Sequence, residues 1–539
     1  MTRREALFAL AAAPAAAGSV PGELIARHDE QVRVLMDRQR ENGSYPDGDG
    51  LWLPGAAAGL VLDFTAAFLQ PGSKHAGSAA VLERIRRAAK YLEGEQTADG
   101  NIDLPTTNFN SPPDTGFVCH LVASAACLAR RAGSREIEEA LEGFLRRAGA
   151  AMTVGGIHTP NHRWVVCQAL AQIHELYPDA RYVRRIEEWL AEGIDIDEDG
   201  QFDERSTTIY NPVTDRALVV MAAKLKRAEL LAPVRRNLES LLYLLHPGGE
   251  VVTEISRRQD QYQVGDAGRY WFPLRYMAVR EKDGRWMSLA QGLEARYARL
   301  PDVMEFEELT QRGPAPAPLP ENYEKTLTAA RAHRIRRGRT SATVLLANGD
   351  SLICTLRRGE AVIGGVRFAS AFFGKAQFVA GKAERVDGGG WRLTQQLEGP
   401  YFQPLTNRKV AAGEWEQVRR LRGQSEVARL TQAATVTETP RGLRVRVQAE
   451  GTDKVPLAIE INVRDGVKIE GARELGGGAY LLEQGAATLR AGSDAIRISP
   501  GVAAHRYVNV RGALPRIPGQ TIYVTGLTPF DYTLQFEVG

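Results

Sequence analysis

Three short stretches hold most of the side chains suited to moving protons and gripping an anion. HTPNH sets His158, Asn161 and His162 side by side, DERSTTIY carries Asp203, Glu204, Arg205 and Tyr210, and TTNFNSPPD carries Asn108, Asn110 and Asp114. Imidazole is the side chain whose ordinary pKa lies nearest neutrality, so a histidine among polar neighbours is the first choice for a proton acceptor or donor. A fourth stretch, TEISRRQDQYQVGDAGRYW, supplies Glu254, Arg257, Arg258, Tyr262, Asp266 and Arg269. Guanidinium groups of this kind suit two-point recognition of a carboxylate. Each residue also has a plain structural reading. Asparagine is common in turns because its side chain bonds nearby backbone, Tyr210 can be a core aromatic, and the arginine stretch can be a solvated loop.

Metal chemistry is less well supported. His158 and His162 are four apart, but Pro160 lies between them and no acidic residue follows at HExxH spacing. Asp195, Asp197 and Asp199 with Gly200 resemble the opening of a calcium loop, yet the twelfth position is Ser206, where a bidentate glutamate is expected. Calcium at these three aspartates stays a secondary expectation, and no cofactor is required. Cys119, Cys127, Cys167 and Cys354 form no CxxC pair, which makes them small buried hydrophobes.

The elements that would position these groups are repeated. Thr159-Pro160 is a helix-start signal that puts His162 in a first turn, and Asn211-Pro212 is a second one directly after Tyr210. Ser111-Pro112 overlays Thr159-Pro160, so that Asp114 matches His162 and Cys119 matches Cys167 at an offset of 48 residues. Thr214 takes the same slot in the next unit. Glycine turns at Gly43, Gly100, Gly156, Gly200 and Gly249 precede successive units, a periodicity near fifty that marks a repeat architecture. Each unit holds two amphipathic helices that cannot bury their apolar stripes alone and must stack on neighbours. Polar residues at one end of every unit favour a closed ring around a single cup over an open solenoid. The expected class is therefore an N-terminal (α/α) toroid.

The rest of the chain sets the boundaries. At 539 residues it calls for two or three domains. A net charge of +3 with 25% charged residues is ordinary for a globular protein and gives no nucleic-acid footprint. Residues 1–21 read as an export signal, with Arg3-Arg4 hinting at the twin-arginine route, and no later segment is long and apolar enough for a membrane span. Residues 22–300 form the toroid. Residues 301–339, with GPAPAPLPENY and AARAHRIRRGR, read as a linker with a short helix near Glu324 to His333. Residues 340–539 alternate apolar and polar at a period of two and predict an antiparallel β-sandwich.

An exported helical-repeat toroid joined to a β-sandwich, offering Asn, His and Tyr from successive units, resembles polysaccharide lyases of the heparinase II/III and chondroitin or alginate lyase type. The resemblance implies β-elimination at a uronic acid in an acidic polysaccharide. By order along the chain it places the family's three roles on Asn110, His162 and Tyr210, with Asn108 competing for the first. Asn110, helped by Arg205 or Arg257, would neutralise the substrate carboxylate. His162 or Tyr210 would take the C5 proton, and Tyr210 would return one to the leaving oxygen. Asn108, His158, Asn161, Glu204, Arg205 and Arg257 would line the substrate, and His505 is the candidate for a histidine from the sandwich. A glycoside hydrolase using Asp114 with Asp203 or Glu204 is the alternative enzyme. A non-catalytic glycan binder would rely on Trp52, Trp164 and Trp271. Neither the polymer nor the oligomeric state follows from these residues.

Overall fold

The computed structural model describes residues 20–46, 49–406 and 408–539. The expected export signal falls almost wholly on residues outside this set. Two compact units emerge. One comprises residues 1–242 and 256–319, the other 243–255 and 320–539.

Helix α1 (Gly22–Arg38) opens the first unit, and five helical hairpins follow among the described residues: α2 (Pro54–Leu69) with α3 (Ala79–Glu95), α4 (Pro112–Ala132) with α5 (Arg135–Met152), α6 (Pro160–Leu176) with α7 (Ala180–Ala191), α8 (Tyr210–Leu225) with α9 (Leu231–Leu241), and α10 (Trp271–Glu281) with α11 (Gly284–Tyr297). The even-numbered helices pack on one another in sequence and form the inner ring. Inner helices are buried on nearly every side, as α6 shows from Asn161 to Ile173, whereas outer helix α7 buries only Tyr182 and Ile186. An amphipathic stripe is thus the mark of the outer layer alone.

The ring closes on itself. Arg27 of α1 donates to the carbonyls of Ala295 and Ala298 at the end of α11, the second at 2.6 Å. Helix α12 (Leu300–Glu305), expected to begin a linker, packs instead against α2 and α4. Its Asp302 accepts from Arg216 of α8 at 3.1 Å, and the preceding Arg299 donates to Asp63 of α2 at 3.1 Å. Burial would make these charges expensive were they not paired.

The glycine turns explain the period. Gly43, Gly100 and Gly200 all have positive φ, and a Cβ on them would lie 2.0, 2.7 and 2.5 Å from the carbonyl oxygens of Arg87, Arg147 and Arg236 respectively. Each turn therefore presses backbone to backbone against the outer helix of its own unit, where only glycine fits. Gly156 is outside this pattern, having no positive φ. The four cysteines are free and buried, as expected.

The second unit is a sandwich of a nine-stranded and an eight-stranded sheet among the described residues. Strand pairs are antiparallel except for Ala479–Leu481 beside Gln520–Leu527. Numbering strands from the short hairpin β1 (Ile102–Leu104) and β2 (Asn108–Ser111) of the first unit, the nine-stranded sheet begins with β3 (Asn322–Leu327), β4 (Ala332–Arg337) and β5 (Thr340–Leu345). Residues 322–337, read as linker and short helix, are thus two sheet strands. The run AHRIRR misled because its charge suggested solvent. Arg334 is fully buried, with its guanidinium on Ala342 O, Thr343 Oγ1 and Ser341 Oγ. Residues 243–255 join this unit through Leu244, Val252 and Ile255, which pack with Leu327, Leu345 and Leu352. Glu254 accordingly leaves the expected arginine cluster and accepts from Thr355 Oγ1 at 2.9 Å.

Candidate active site

The mouth of α6 is where the polar groups gather. Thr159 precedes the helix in extended conformation and Pro160 occupies its first turn, so the helix start matches its sequence signal. Asn161 and His162 follow and are both buried. Helix α8 begins two residues earlier than its Asn-Pro signal implies. The backbone N–H of Tyr210 donates to Ser206 Oγ at 3.2 Å, which brings Tyr210 into the first turn.

A chain of contacts links these two helix mouths. Asn161 donates to Glu204 Oε2 from its backbone N–H at 3.3 Å and from Nδ2. Arg258 donates to the other oxygen, Glu204 Oε1, at 2.5 Å. The Arg258 guanidinium also lies over the Tyr210 ring, 4.9 Å from its centroid, and Gln259 Nε2 donates to the Tyr210 hydroxyl at 2.9 Å. Tyr210, Arg258, Glu204 and Asn161 thus form one connected set drawn from three successive units. The loop bearing Arg258 is fixed by a buried carboxylate, Asp260, which accepts from Ser206 Oγ at 3.0 Å, Thr208 N–H at 3.0 Å and Ser256 Oγ at 3.1 Å. Tyr270 adds a bond to Thr207 O at 2.7 Å beneath the same helix start.

His162 sits against His158, with ring centroids 4.6 Å apart and planes perpendicular, and its Nδ1 is buried without a partner. Burial first, and then the neighbouring His158, push its pKa down to about 4; Asp114 opposes that shift and Arg258 adds to it. The imidazole is therefore neutral at physiological pH and free to accept a proton. Asn161 Oδ1 is likewise buried with no donor facing it. Two unpartnered polar atoms at one helix mouth are unusual, since buried polar atoms nearly always find partners.

Beside His158 lies an open depression of about 420 Å³, lined by Asn108, Phe109, Asn110, Ser111, Pro112 and the 156–158 loop. Phe109, in strand β2, is 70% exposed. A lone Phe in a four-residue strand carries no spacing signal in the sequence.

The expected site residues divide into two groups. His158, Asn161, His162, Glu204 and Tyr210 belong to the connected cluster or touch it. Asn110 lines the depression but its side chain is engaged elsewhere: Oδ1 accepts from Thr97 Oγ1 at 2.7 Å and Asn101 Nδ2 at 3.2 Å, while Nδ2 donates to Asp99 Oδ2 at 2.8 Å. With φ at +47° it holds a left-handed turn, a conformation asparagine tolerates better than most residues. Asn108 donates to Asp114 Oδ2 at 2.8 Å. Arg205 is buried toward Asp197, at 3.4 Å, and Arg257 is exposed with its backbone N–H on Arg205 O at 2.8 Å. Arg258, one residue on, is the arginine that reaches the cluster.

The remaining candidates are placed as follows. Asp195 accepts from Trp164 Nε1 at 2.9 Å and pairs with Arg163 at 2.7 Å, while Asp197 accepts from the N–H groups of Asp199 and Gln201 across the Gly200 turn. Two of the three aspartates of the calcium pattern thus serve separate local partners. Among the described residues no group of three or more His, Cys, Asp or Glu is arranged to hold a metal. Trp164 and Trp271 are core residues, and Trp52 lies under the Arg40 guanidinium at 3.9 Å. Both His505 nitrogens are bonded, to Gly526 O and Tyr507 N–H. Among the described residues no helix is long and apolar enough to cross a membrane.

No protein-family model and no curated protein sequence matches this chain. Solved structures do match. The chondroitin AC lyase of Streptomyces coelicolor A3, in complex with chondroitin sulphate, aligns with a TM-score of 0.55 at 15% identity, over 96% of this chain and 79% of that one. A Paenibacillus xanthan lyase aligns with a TM-score of 0.57 at 10% identity, over 95% of this chain and 57% of the other. This chain spans little more than half the length of the xanthan lyase. What is shared at such identities is the fold: an (α/α) toroid followed by a β-sandwich, the architecture of these polysaccharide lyases.

Proposed function

We propose that the protein is a polysaccharide lyase that cleaves a uronic-acid-containing polymer by β-elimination. The observation that carries this reading is the continuous set Tyr210–Arg258–Glu204–Asn161, with neutral His162 next to Asn161 in the chain. A C5 proton is too weakly acidic to leave while the adjacent carboxylate is a free anion. The substrate carboxylate takes up a proton from solvent on entering the cluster; Asn161 Oδ1 then accepts from that hydroxyl in the carboxyl and in the developing enediol-like intermediate, while the Arg258 guanidinium, paired with Glu204 through one nitrogen, offers its remaining N–H groups. His162 takes the C5 proton, and the electron pair moves into the carboxyl group. Collapse of that charge forms the C4–C5 double bond and breaks the C4–O bond. The Tyr210 hydroxyl delivers its proton to the departing glycosidic oxygen. Asn161 and Arg258 here replace Asn110, Arg205 and Arg257 as the carboxylate-facing groups.

The hydrolase reading has weaker support. It needs a carboxylic acid free to protonate the leaving group, whereas both oxygens of Glu204 are held by Asn161 and Arg258, Asp114 is held by Asn108 and Ser111, and Asp203 is exposed. We further propose that the protein is exported, on the strength of residues 1–21. The test is to incubate the protein with a panel of uronate polymers and follow the ultraviolet absorbance of the unsaturated product. Reducing ends appearing without that absorbance would make the protein a hydrolase.

A further inference from the structure

One connection in the sandwich is far longer than its strands require. Residues 403–423 join strand Trp391–Phe402 to its antiparallel neighbour Gln424–Thr439, although a tight turn suffices between such strands. The excursion is fixed at its neck, where the Gln403 N–H donates to Gly423 O at 2.8 Å and Arg422 Nη1 donates to Gln403 O at 3.2 Å. Within it a short helix, Trp415–Arg419, is anchored by the buried Val418. Long connections are uncommon in compact domains and often carry binding sites.

Its side chains indicate what it would bind. Residues 408–422 carry Arg408, Lys409, Arg419, Arg420 and Arg422 against Glu414 and Glu416, an excess of positive charge equal to the +3 of the whole chain. Arg419 has Glu416 at 3.3 Å, while Arg420 and Arg422 have no carboxylate partner among the described residues. The same excursion exposes Trp415 at 48% and Leu421 at 62%. Arg422 lies over the Trp415 ring, 4.6 Å from its centroid, and Arg419 lies over the Phe402 ring at 5.1 Å. Guanidinium groups and aromatic rings are thus presented together.

We propose that this excursion is a docking surface for an acidic polysaccharide, additional to the groups around His162. Such a polymer offers anionic groups to Arg419, Arg420 and Arg422, where a guanidinium can make two parallel bonds, and the C–H faces of its rings to Trp415 and Leu421. A neutral glycan would leave the charge excess unanswered. A lipid bilayer fits less well, because the rings could enter hydrocarbon only with their guanidinium partners. The choice of a uronate polymer rests on the proposed elimination. The surface itself does not, since all of its residues lie in the sandwich unit.

The test titrates alginate, polygalacturonate and hyaluronate, each as long chains and as tetrasaccharides, into the full-length Tyr210→Phe protein by calorimetry. The same protein carrying Arg419→Gln, Arg420→Gln and Arg422→Gln together is the comparison. The triple substitution should weaken the preferred long polymer by about tenfold, and leave its tetrasaccharide and the melting temperature unaffected. Trp415→Ala alone should weaken the long polymer several-fold. With Tyr210 intact, the triple variant should show a raised KM on the polymer and an unchanged kcat on the tetrasaccharide. The proposal is overturned if the triple variant binds the polymer as tightly as its parent, or if tetrasaccharide binding falls as far as polymer binding. It is also overturned if a single-stranded oligonucleotide or phosphatidylglycerol vesicles bind more tightly than every uronate polymer and lose that binding in the triple variant. Polymer binding lost on triple substitution in a protein that releases no unsaturated product would overturn the elimination reading and uphold this surface.

Discussion

Asn110 and Asn161 both stand at the mouth of an inner helix, two residues before Pro112 in one case and one residue after Pro160 in the other. Their surroundings differ completely. Asn110 is exposed, and its amide is fully engaged by Thr97, Asp99 and Asn101 of its own hairpin. Asn161 is buried, held in orientation by a carboxylate from the next unit, and keeps one oxygen free. Residue type and order along the chain are equal between them. What differs is whether the amide oxygen is engaged: that of Asn110 accepts twice, whereas Asn161 donates from Nδ2 to Glu204 and to Thr159 Oγ1 at 3.3 Å and its Oδ1 accepts from nothing. We propose that the unengaged oxygen of Asn161 is the one that serves substrate.

Several substitutions would break or sharpen that contrast. Tyr210→Phe removes the proton donor and should lower kcat on a uronate polymer by about a thousandfold, the usual scale for loss of a general acid. Substrate binding should persist, which equilibrium titration would show. Asn161→Ala should lower kcat on the order of a hundredfold, comparable to removing one group that stabilises developing charge. Should Asn161→Ala turn over normally while Asn110→Ala does not, the contrast drawn here is reversed.

Arg258→Gln tests the electrostatics. Burial holds the His162 pKa at about 4, and Arg258 helps to hold it there. Removing the charge should shift the acid limb of the kcat/KM profile to higher pH, and Asp114→Asn should shift it to lower pH. The same depression has a stability consequence. His162 and His120, the latter half-buried with its Nδ1 sealed from solvent and its pKa pushed down to about 3, bind protons more readily once unfolded. Their contribution is intact above about pH 6.5 and is lost as pH falls toward 4 and then 3, so the melting temperature should decline across that window. The smallest effect is expected from Asn110→Ala. It should destabilise by about 1 to 2 kcal/mol through its lost turn bonds and strained φ, with kcat close to that of the parent protein.

Much of the architecture could be read from the chain because repetition is a sequence property. The Ser-Pro and Thr-Pro helix starts and the cysteines at matching positions record the same hairpin at α4 and α6, and the glycine turns record it at Gly43, Gly100 and Gly200. Legibility failed where a residue's role depends on a distant partner. The AHRIRR strand looks soluble until Ser341, Ala342 and Thr343 are placed beside Arg334. Arg257 and Arg258 cannot be told apart in sequence, since only the anchoring of their loop through Asp260 decides which one faces Tyr210. Asn110 and Asn161 pose the same difficulty, because hydrogen-bond saturation is invisible in one dimension.

The most direct measurement of the central claim is a parallel assay of the parent protein, Asn161→Ala and Asn110→Ala on the uronate polymer the parent cleaves best, following the absorbance of the unsaturated product. The parent and Asn110→Ala should generate it at similar rates, and Asn161→Ala should be slower by about two orders of magnitude. A parent protein that releases no unsaturated product from any uronate polymer, or an Asn161→Ala protein as fast as the parent, would contradict the account.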